Sequence, residues 1–93
     1  MDEKIQKVLE EKIRESTSKI NEITALVNSF GQMENLNVFG HGIIIGRLYN
    51  SFYYQSRRIL KRNPTEQEFS EFIQLLNDHY DEFREISSKF QLI

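Results

Sequence analysis

The side chains best suited to bind another molecule lie in one stretch of the chain, between Arg47 and Lys61. On a helix, most of them line up at steps of three and four residues. The resulting face combines hydrogen-bond donors, aromatic rings and guanidinium groups. Tyr and Arg are enriched at protein-binding hot spots, and the same groups suit phosphate contact with base stacking. The predicted partner-binding residues are Arg47, Asn50, Tyr53, Tyr54, Arg57, Arg58 and Lys61.

Three interpretations of this stretch remain open. Its tyrosines are also explained as residues at the edge of a core, with their hydroxyls in water. Against nucleic acid, the whole chain has a net charge of −2 and a pI of 5.7, whereas strong binders carry a basic excess. A protein partner is therefore the first functional hypothesis. The alternative is an accessory nucleic-acid-binding protein that uses Arg47, Tyr54, Arg57, Arg58, Lys61 and Arg62.

The glycines between Gly40 and Gly46 do not match a nucleotide-binding loop. The dinucleotide fingerprint needs a preceding strand and a third glycine three residues after the second, and a Walker motif ends in Gly-Lys-Ser/Thr. Gly42 and Gly46 instead lie one helical turn apart. Glycine removes side chains from a helix surface, so this spacing predicts close packing of another helix against Gly42 and Gly46, within the fold or across a dimer.

Catalytic and metal chemistry have little support in the sequence. His41 lies between two glycines and is interpreted as a capping or loop histidine, with a ligand-contacting or catalytic role as the alternative. His79 is followed three residues later by Glu82, but the Glu-x-x-His pairs of di-iron bundles do not occur. The chain has no cysteine, and no histidine–acid pair accompanies its serines. We therefore expect no enzyme activity, no metal site and no cofactor.

The elements that must position these residues are predicted to be three long helices, at about 3–29, 40–62 and 64–90. Apolar residues recur at steps of three and four through the first and third segments, as in a coiled-coil-like seam. We expect Phe30-Gly31 to end the first helix, and Asn63-Pro64-Thr65-Glu66 to begin the third. A weak point at Asn77-Asp78 favours a split. Seven residues are expected along the third seam: Phe69, Ile73, Leu76, Tyr80, Phe83, Ser87 and Phe90.

A β-strand at Ile43–Ile45 is the alternative to a middle helix, because β-branched residues favour strands. No second strand-like run exists to pair with it, so the predicted fold is all-α. Residues 1–93 should form a single domain, an antiparallel three-helix bundle that dimerisation would complete. Long seams on few helices leave apolar surface for a second copy to cover.

Charge is polarised along the chain. Residues 36–63 carry five bases and no acid, whereas residues 64–93 carry seven acids and two bases. The simplest explanation is that the second and third helices neutralise each other across a hairpin, and phosphate contact by the basic end is the alternative.

The predicted function is therefore a non-enzymatic module for protein interaction or self-assembly, working as a homodimer in the cytosol. Apolar runs are far shorter than the roughly 20 residues that span a bilayer. The charged start, Met1-Asp2-Glu3-Lys4, predicts no signal peptide, and we expect no membrane partner.

Overall fold

A computed structural model of the chain describes residues 1–29 and 36–88. Within these two ranges the regular structure is entirely helical and contains no strand, which confirms the predicted all-α class. The triple isoleucine lies inside a helix rather than a strand. The helices are α1 (Glu3–Ser18), α2 (Ile20–Ser29), α3 (Leu36–Gln55), α4 (Glu66–Asp78) and α5 (Tyr80–Ser88), with a π-helical turn at Ser56–Leu60.

The first predicted helix, 3–29, is interrupted at a single residue, Lys19. The backbone ladder continues across the break, since Lys19 N–H donates to the Glu15 carbonyl and Ile23 N–H donates to the Lys19 carbonyl, both at 3.0 Å. Ser18 Oγ also donates to the Glu15 carbonyl, at 2.8 Å. Serine side chains that bond to helix carbonyls in this way bend helices, so the polar Ser-Thr-Ser run explains the interruption.

The third predicted helix begins two residues later than expected and is interrupted once. Thr65, rather than Asn63, is the N-cap. Its hydroxyl accepts a hydrogen bond from Glu68 N–H at 3.1 Å, and the Glu68 carboxylate accepts one from Thr65 N–H at 2.9 Å. This reciprocal capping box satisfies two backbone donors at once and places the helix start. The interruption falls at His79, directly after the predicted weak point.

The middle helix begins earlier than predicted, and its regular α-helix ends at Gln55 rather than at 62. It begins at Leu36 rather than at 40, because none of its glycines adopts a positive φ that would break it. Its last turn, Ser56–Leu60, is π-helical and ends at Lys61, whose φ of 61° is left-handed. The predicted end of the first helix at Phe30-Gly31 lies outside the described residues.

The helices pack as an up-down-up bundle with α3 in the middle. Phe52 stacks on Phe72 and His41 packs on Phe83, so residue order along α3 runs opposite to that along α4–α5. Glu10 lies beside His79, with α1 running parallel to α4–α5. The buried apolar core is Ile5, Leu9, Ile13, Ile23, Val27, Ile44, Leu48, Phe52, Phe72, Leu75 and Phe83.

In the seam predicted for the first helix, Ile20 is half-buried and the other described apolar residues are buried: Ile5, Leu9, Ile13, Ile23 and Val27. The seam predicted for the third helix is correct only in part. Phe83 is buried as predicted, and Leu76 packs against the core. Phe72 and Leu75 also face the core, whereas the predicted Phe69, Ile73 and Tyr80 are 39%, 44% and 58% exposed. The stacking of Phe72 on Phe52 turns α4 so that the predicted stripe lies beside the core and borders solvent.

Candidate interaction surface

Four of the predicted partner-binding residues surround one cleft on the outer side of α3. The cleft has a volume of about 490 Å³. Tyr49 and Tyr53 lie one turn apart with their rings edge to face, 5.3 Å between centroids. A hydrogen bond with Tyr53 raises the pKa of Tyr49 above its usual value of 10.0. The lining residues are Tyr49, Asn50, Tyr53, Tyr54 and Arg57; we call them the α3 surface.

Arg57 is held in place by two contacts. Its guanidinium carbon lies 5.6 Å from the centre of the Tyr53 ring, within the range of a cation–π interaction. Its Nε donates to the side-chain oxygen of Asn63 at 2.9 Å. Arg57 belongs to the π-helical turn, in which Ser56 Oγ donates to the Phe52 carbonyl at 2.8 Å. Such turns occur frequently at functional sites, and this one aims a cation across an aromatic ring.

The aromatic rings of α4 support the α3 surface from behind. Phe72 lies flat on Phe52, with 4.5 Å between centroids and 4° between planes. The Tyr49 ring lies 6.4 Å from Phe72 and 6.5 Å from Phe69. Phe69, which sequence reasoning assigned to the core, therefore extends the aromatic surface. The signal in the sequence was an excess of apolar residues on α4, more than one buried stripe can hold.

The basic charge of residues 36–63 is only partly neutralised within the chain. Arg62 forms an ion pair with Glu68 at 2.6 Å. The Arg62 guanidinium is the main cause that lowers the pKa of Glu68 from 4.5 to about 2, with the Thr65 backbone hydrogen bond second. Within 1–29 and 36–88, no carboxylate lies within 4.0 Å of the other four cations of this segment: Arg47, Arg57, Arg58 and Lys61.

The remaining predicted partner-binding residues stand outside the cleft. Arg47 is half-buried on α3. Arg58 is exposed and donates from Nε to the Gln55 side chain at 3.2 Å. Lys61 is exposed at the left-handed end of the π-helical turn. The structure therefore gathers Asn50, Tyr53, Tyr54 and Arg57 at one cleft, and leaves the other three cations outside its lining.

Gly42 and Gly46 have no helix packed against them within the described chain. Both are exposed, and a Cβ added at either position would meet no atom within 4 Å. The predicted close packing therefore does not occur within the described bundle. Packing of a second copy against these glycines stays a prediction.

His41 is not the capping or loop residue that the sequence predicted, because α3 begins at Leu36 and contains it. It is half-buried, and its ring packs edge-on against Phe83 at 5.9 Å. His79 lies at the α4–α5 junction with Nδ1 2.6 Å from the Glu82 carboxylate and Nε2 3.8 Å from that of Glu10. No cluster of three metal-ligating side chains occurs among the residues that the structure describes.

No protein-family model, curated protein sequence or solved structure matches this chain. None of the described helices is long and apolar enough to cross a membrane. The α3 surface and the exposed residues next to it are therefore the basis for a functional proposal.

Proposed function

We propose that the protein is a non-enzymatic interaction module that binds another polypeptide through the α3 surface. The observation that carries this proposal is the arrangement of Tyr49, Tyr53 and Arg57 into one supported, solvent-facing cluster. These residue types dominate binding energy at protein interfaces, where they fill pockets and exclude water. The cysteine-free sequence suits the reducing cytosol, which we propose as the site of action.

Preorganisation supports the proposal. Phe72 and Phe69 hold the Tyr49 ring, and Asn63 holds the Arg57 guanidinium. Side chains that are already ordered lose less conformational entropy when a partner binds, and this cost is about 0.5–1.5 kcal/mol for each long side chain. Tyr54, at 59% exposure, remains free to contact the partner.

The test is photo-crosslinking in cells from a benzoylphenylalanine placed at Tyr54. The matched control carries the same group at Leu26 on α2, which is 52% exposed. We expect a discrete protein adduct from position 54 that position 26 does not give. Arg57→Glu in the same chain should remove the adduct, while its melting temperature stays within about 2 °C because Arg57 is a surface residue.

Equal labelling from positions 54 and 26, or labelling unchanged by Arg57→Glu, would contradict a specific protein site at the α3 surface. Mass spectrometry of the adduct identifies its second chain, including a second copy of this protein.

The unpaired cations favour nucleic acid as the second candidate. Arg57, Arg58 and Lys61 are exposed and lack a carboxylate partner among the described residues, and Tyr54 offers a ring for stacking. Three phosphate contacts predict that affinity for a single-stranded 20-mer falls about 20-fold between 50 and 200 mM salt. Binding by fluorescence anisotropy tests this, and a salt-independent or absent signal rejects the candidate.

A further inference from the structure

A strip of exposed apolar side chains follows α4 and α5. Phe69, Ile73 and Tyr80 recur at steps of four and seven residues and are 39%, 44% and 58% exposed. This is the spacing of a helix face that packs against another helix. No described element of the same chain covers it, so these three members of the seam expected inside the bundle lie on its surface.

A second strip runs along the adjoining side of α3. Val38 is 63% exposed and Tyr49 is 48% exposed. Between them lie Gly42 and Gly46, whose missing side chains leave open space above the backbone. A neighbouring helix can approach such a surface more closely than the usual 8–10 Å between axes.

The two strips meet in one groove. Tyr49 and Phe69 are in ring contact across it, at 6.5 Å. At that end the groove has a volume of about 360 Å³, and its lining includes Tyr53, Glu66 and Phe69. At this end, apolar residues of α3 and of α4 thus form the two walls of the groove.

The two walls carry opposite charge. The α3 side belongs to the segment with five bases and no acid, and the α4–α5 side to the segment with seven acids and two bases. Arg57 is exposed on the first, and Glu66, which lines the groove, is exposed on the second. A two-fold axis parallel to the helices would place the basic wall of each copy over the acidic wall of the other. The dimer would then contain two equivalent contacts between walls of opposite charge.

The size of the molecule is sufficient for such an interface. The principal extents of the chain, 40 × 23 × 22 Å, leave room on its long side for the about 800 Å² that each partner buries in a standard interface. An unrelated acidic helix would satisfy the basic wall but would leave the acidic wall uncovered.

We infer that the partner at this groove is a second copy of the chain, in a symmetric dimer with α3 of each copy over α4–α5 of the other. The inference rests on the proposed interaction role of the α3 surface and names its partner. It also gives Gly42 and Gly46 a function that the single chain does not explain.

Sedimentation equilibrium from 5 to 300 μM tests the inference first with the wild-type protein. We expect a mass that rises towards twice the chain mass of 11.1 kDa. Gly46→Leu should weaken association at least 10-fold while the dilute monomer melts no lower than wild type, because the added side chain meets open space. A wild-type protein that stays monomeric at 300 μM, or a Gly46→Leu variant that dimerises normally, overturns the inference.

Charge reversal tests the orientation of the two copies. Arg57→Glu reverses the charge of the basic wall, and Glu66→Lys reverses the charge of the acidic wall. Each variant alone should dimerise at least 10-fold more weakly than wild type, because side chains of like charge then meet. An equimolar mixture of the two should recover dimerisation, since every contact is again between opposite charges. Unchanged dimerisation of the separate variants, or no recovery in the mixture, rejects the arrangement.

The outcomes separate this inference from the proposed function. A monomeric protein that still gives an Arg57-dependent adduct to another protein from position 54 retains the proposed function and loses the dimer. A protein that dimerises but gives no adduct from position 54 retains the inferred dimer and loses the proposed function.

Discussion

At the level of single residues, the end of α3 buries three polar side chains next to the candidate surface. Ser51, Gln55 and Ser56 are all buried. Ser56 donates to a backbone carbonyl and Gln55 accepts from Arg58. Ser51 Oγ has no hydrogen-bond partner within the described chain. A buried polar group without a partner costs free energy, so Ser51 is a weak point of the fold.

We expect Ser51→Ala to raise the free energy of unfolding by up to about 1 kcal/mol, because it removes an unsatisfied hydroxyl. Ser56→Ala is the matched control and should lower it by about 1 kcal/mol, since the bond to Phe52 is lost. Urea denaturation followed by circular dichroism measures both. A loss of stability in Ser51→Ala equal to that in Ser56→Ala would contradict the prediction.

Lys61 is the one described residue other than glycine with a positive φ, 61°. A side chain at a left-handed position costs roughly 1–2 kcal/mol relative to a right-handed one, and glycine avoids this cost. Lys61→Gly should therefore raise the melting temperature by a few degrees, whereas Lys61→Ala, which keeps a Cβ, should not. Thermal melts that order the two variants the other way would show that this turn is not strained.

At the level of elements, the orientation of α4 decides which rings are core and which are surface. Phe72 is 3% exposed and stacked on Phe52, and Phe69 is 39% exposed one turn earlier. Phe72→Ala should cost about 3–5 kcal/mol of unfolding free energy through the cavity it leaves, and Phe69→Ala about 1 kcal/mol or less. Similar losses in the two variants, measured by urea unfolding, would disagree with this orientation.

The α4 N-terminus also makes stability depend on pH. The pKa of Glu68 in the folded chain is lowered to about 2, so the folded state favours its carboxylate. The contribution of the Glu68 carboxylate to the free energy of unfolding is complete above about pH 4.5 and is lost as the pH falls towards 2. Its size should be below about 1 kcal/mol, because water screens the carboxylate. Urea unfolding at pH 5, 4, 3 and 2.5 should show a smaller decrease for Glu68→Gln than for wild type; equal decreases would exclude the effect.

At the level of the whole molecule, the inferred dimer couples stability to concentration. A partner that binds only the folded chain stabilises it by mass action. The melting temperature of the wild-type protein should rise between 5 and 200 μM, and that of Gly46→Leu should not. Scanning calorimetry at the two concentrations measures both melting temperatures. If the melting temperatures of wild type and of Gly46→Leu change equally with concentration, the change is not caused by association through Gly46.

The sequence by itself determined the helical class and the buried side of the first segment. Ile5, Leu9 and Ile13 repeat at the helical period, and no second apolar stripe competes with theirs. The side of the helix that is buried is therefore unambiguous. It also located the cluster around Tyr54 and Arg57, because polar and aromatic residues at helical spacing share a face in any packing. These features depend on local periodicity alone.

Only the tertiary structure decided the buried side of α4 and the partners of the charged groups. Apolar residues occur on two sides of α4, and the contact of Phe72 with Phe52 selects one of them and leaves Phe69 and Ile73 in solvent. Likewise Thr65 caps α4 because Glu68 reaches back to it, and Glu68 also pairs with Arg62. The buried side of α4 and the partners of its charged groups depend on distances between side chains that are far apart in sequence. Local periodicity does not determine these distances.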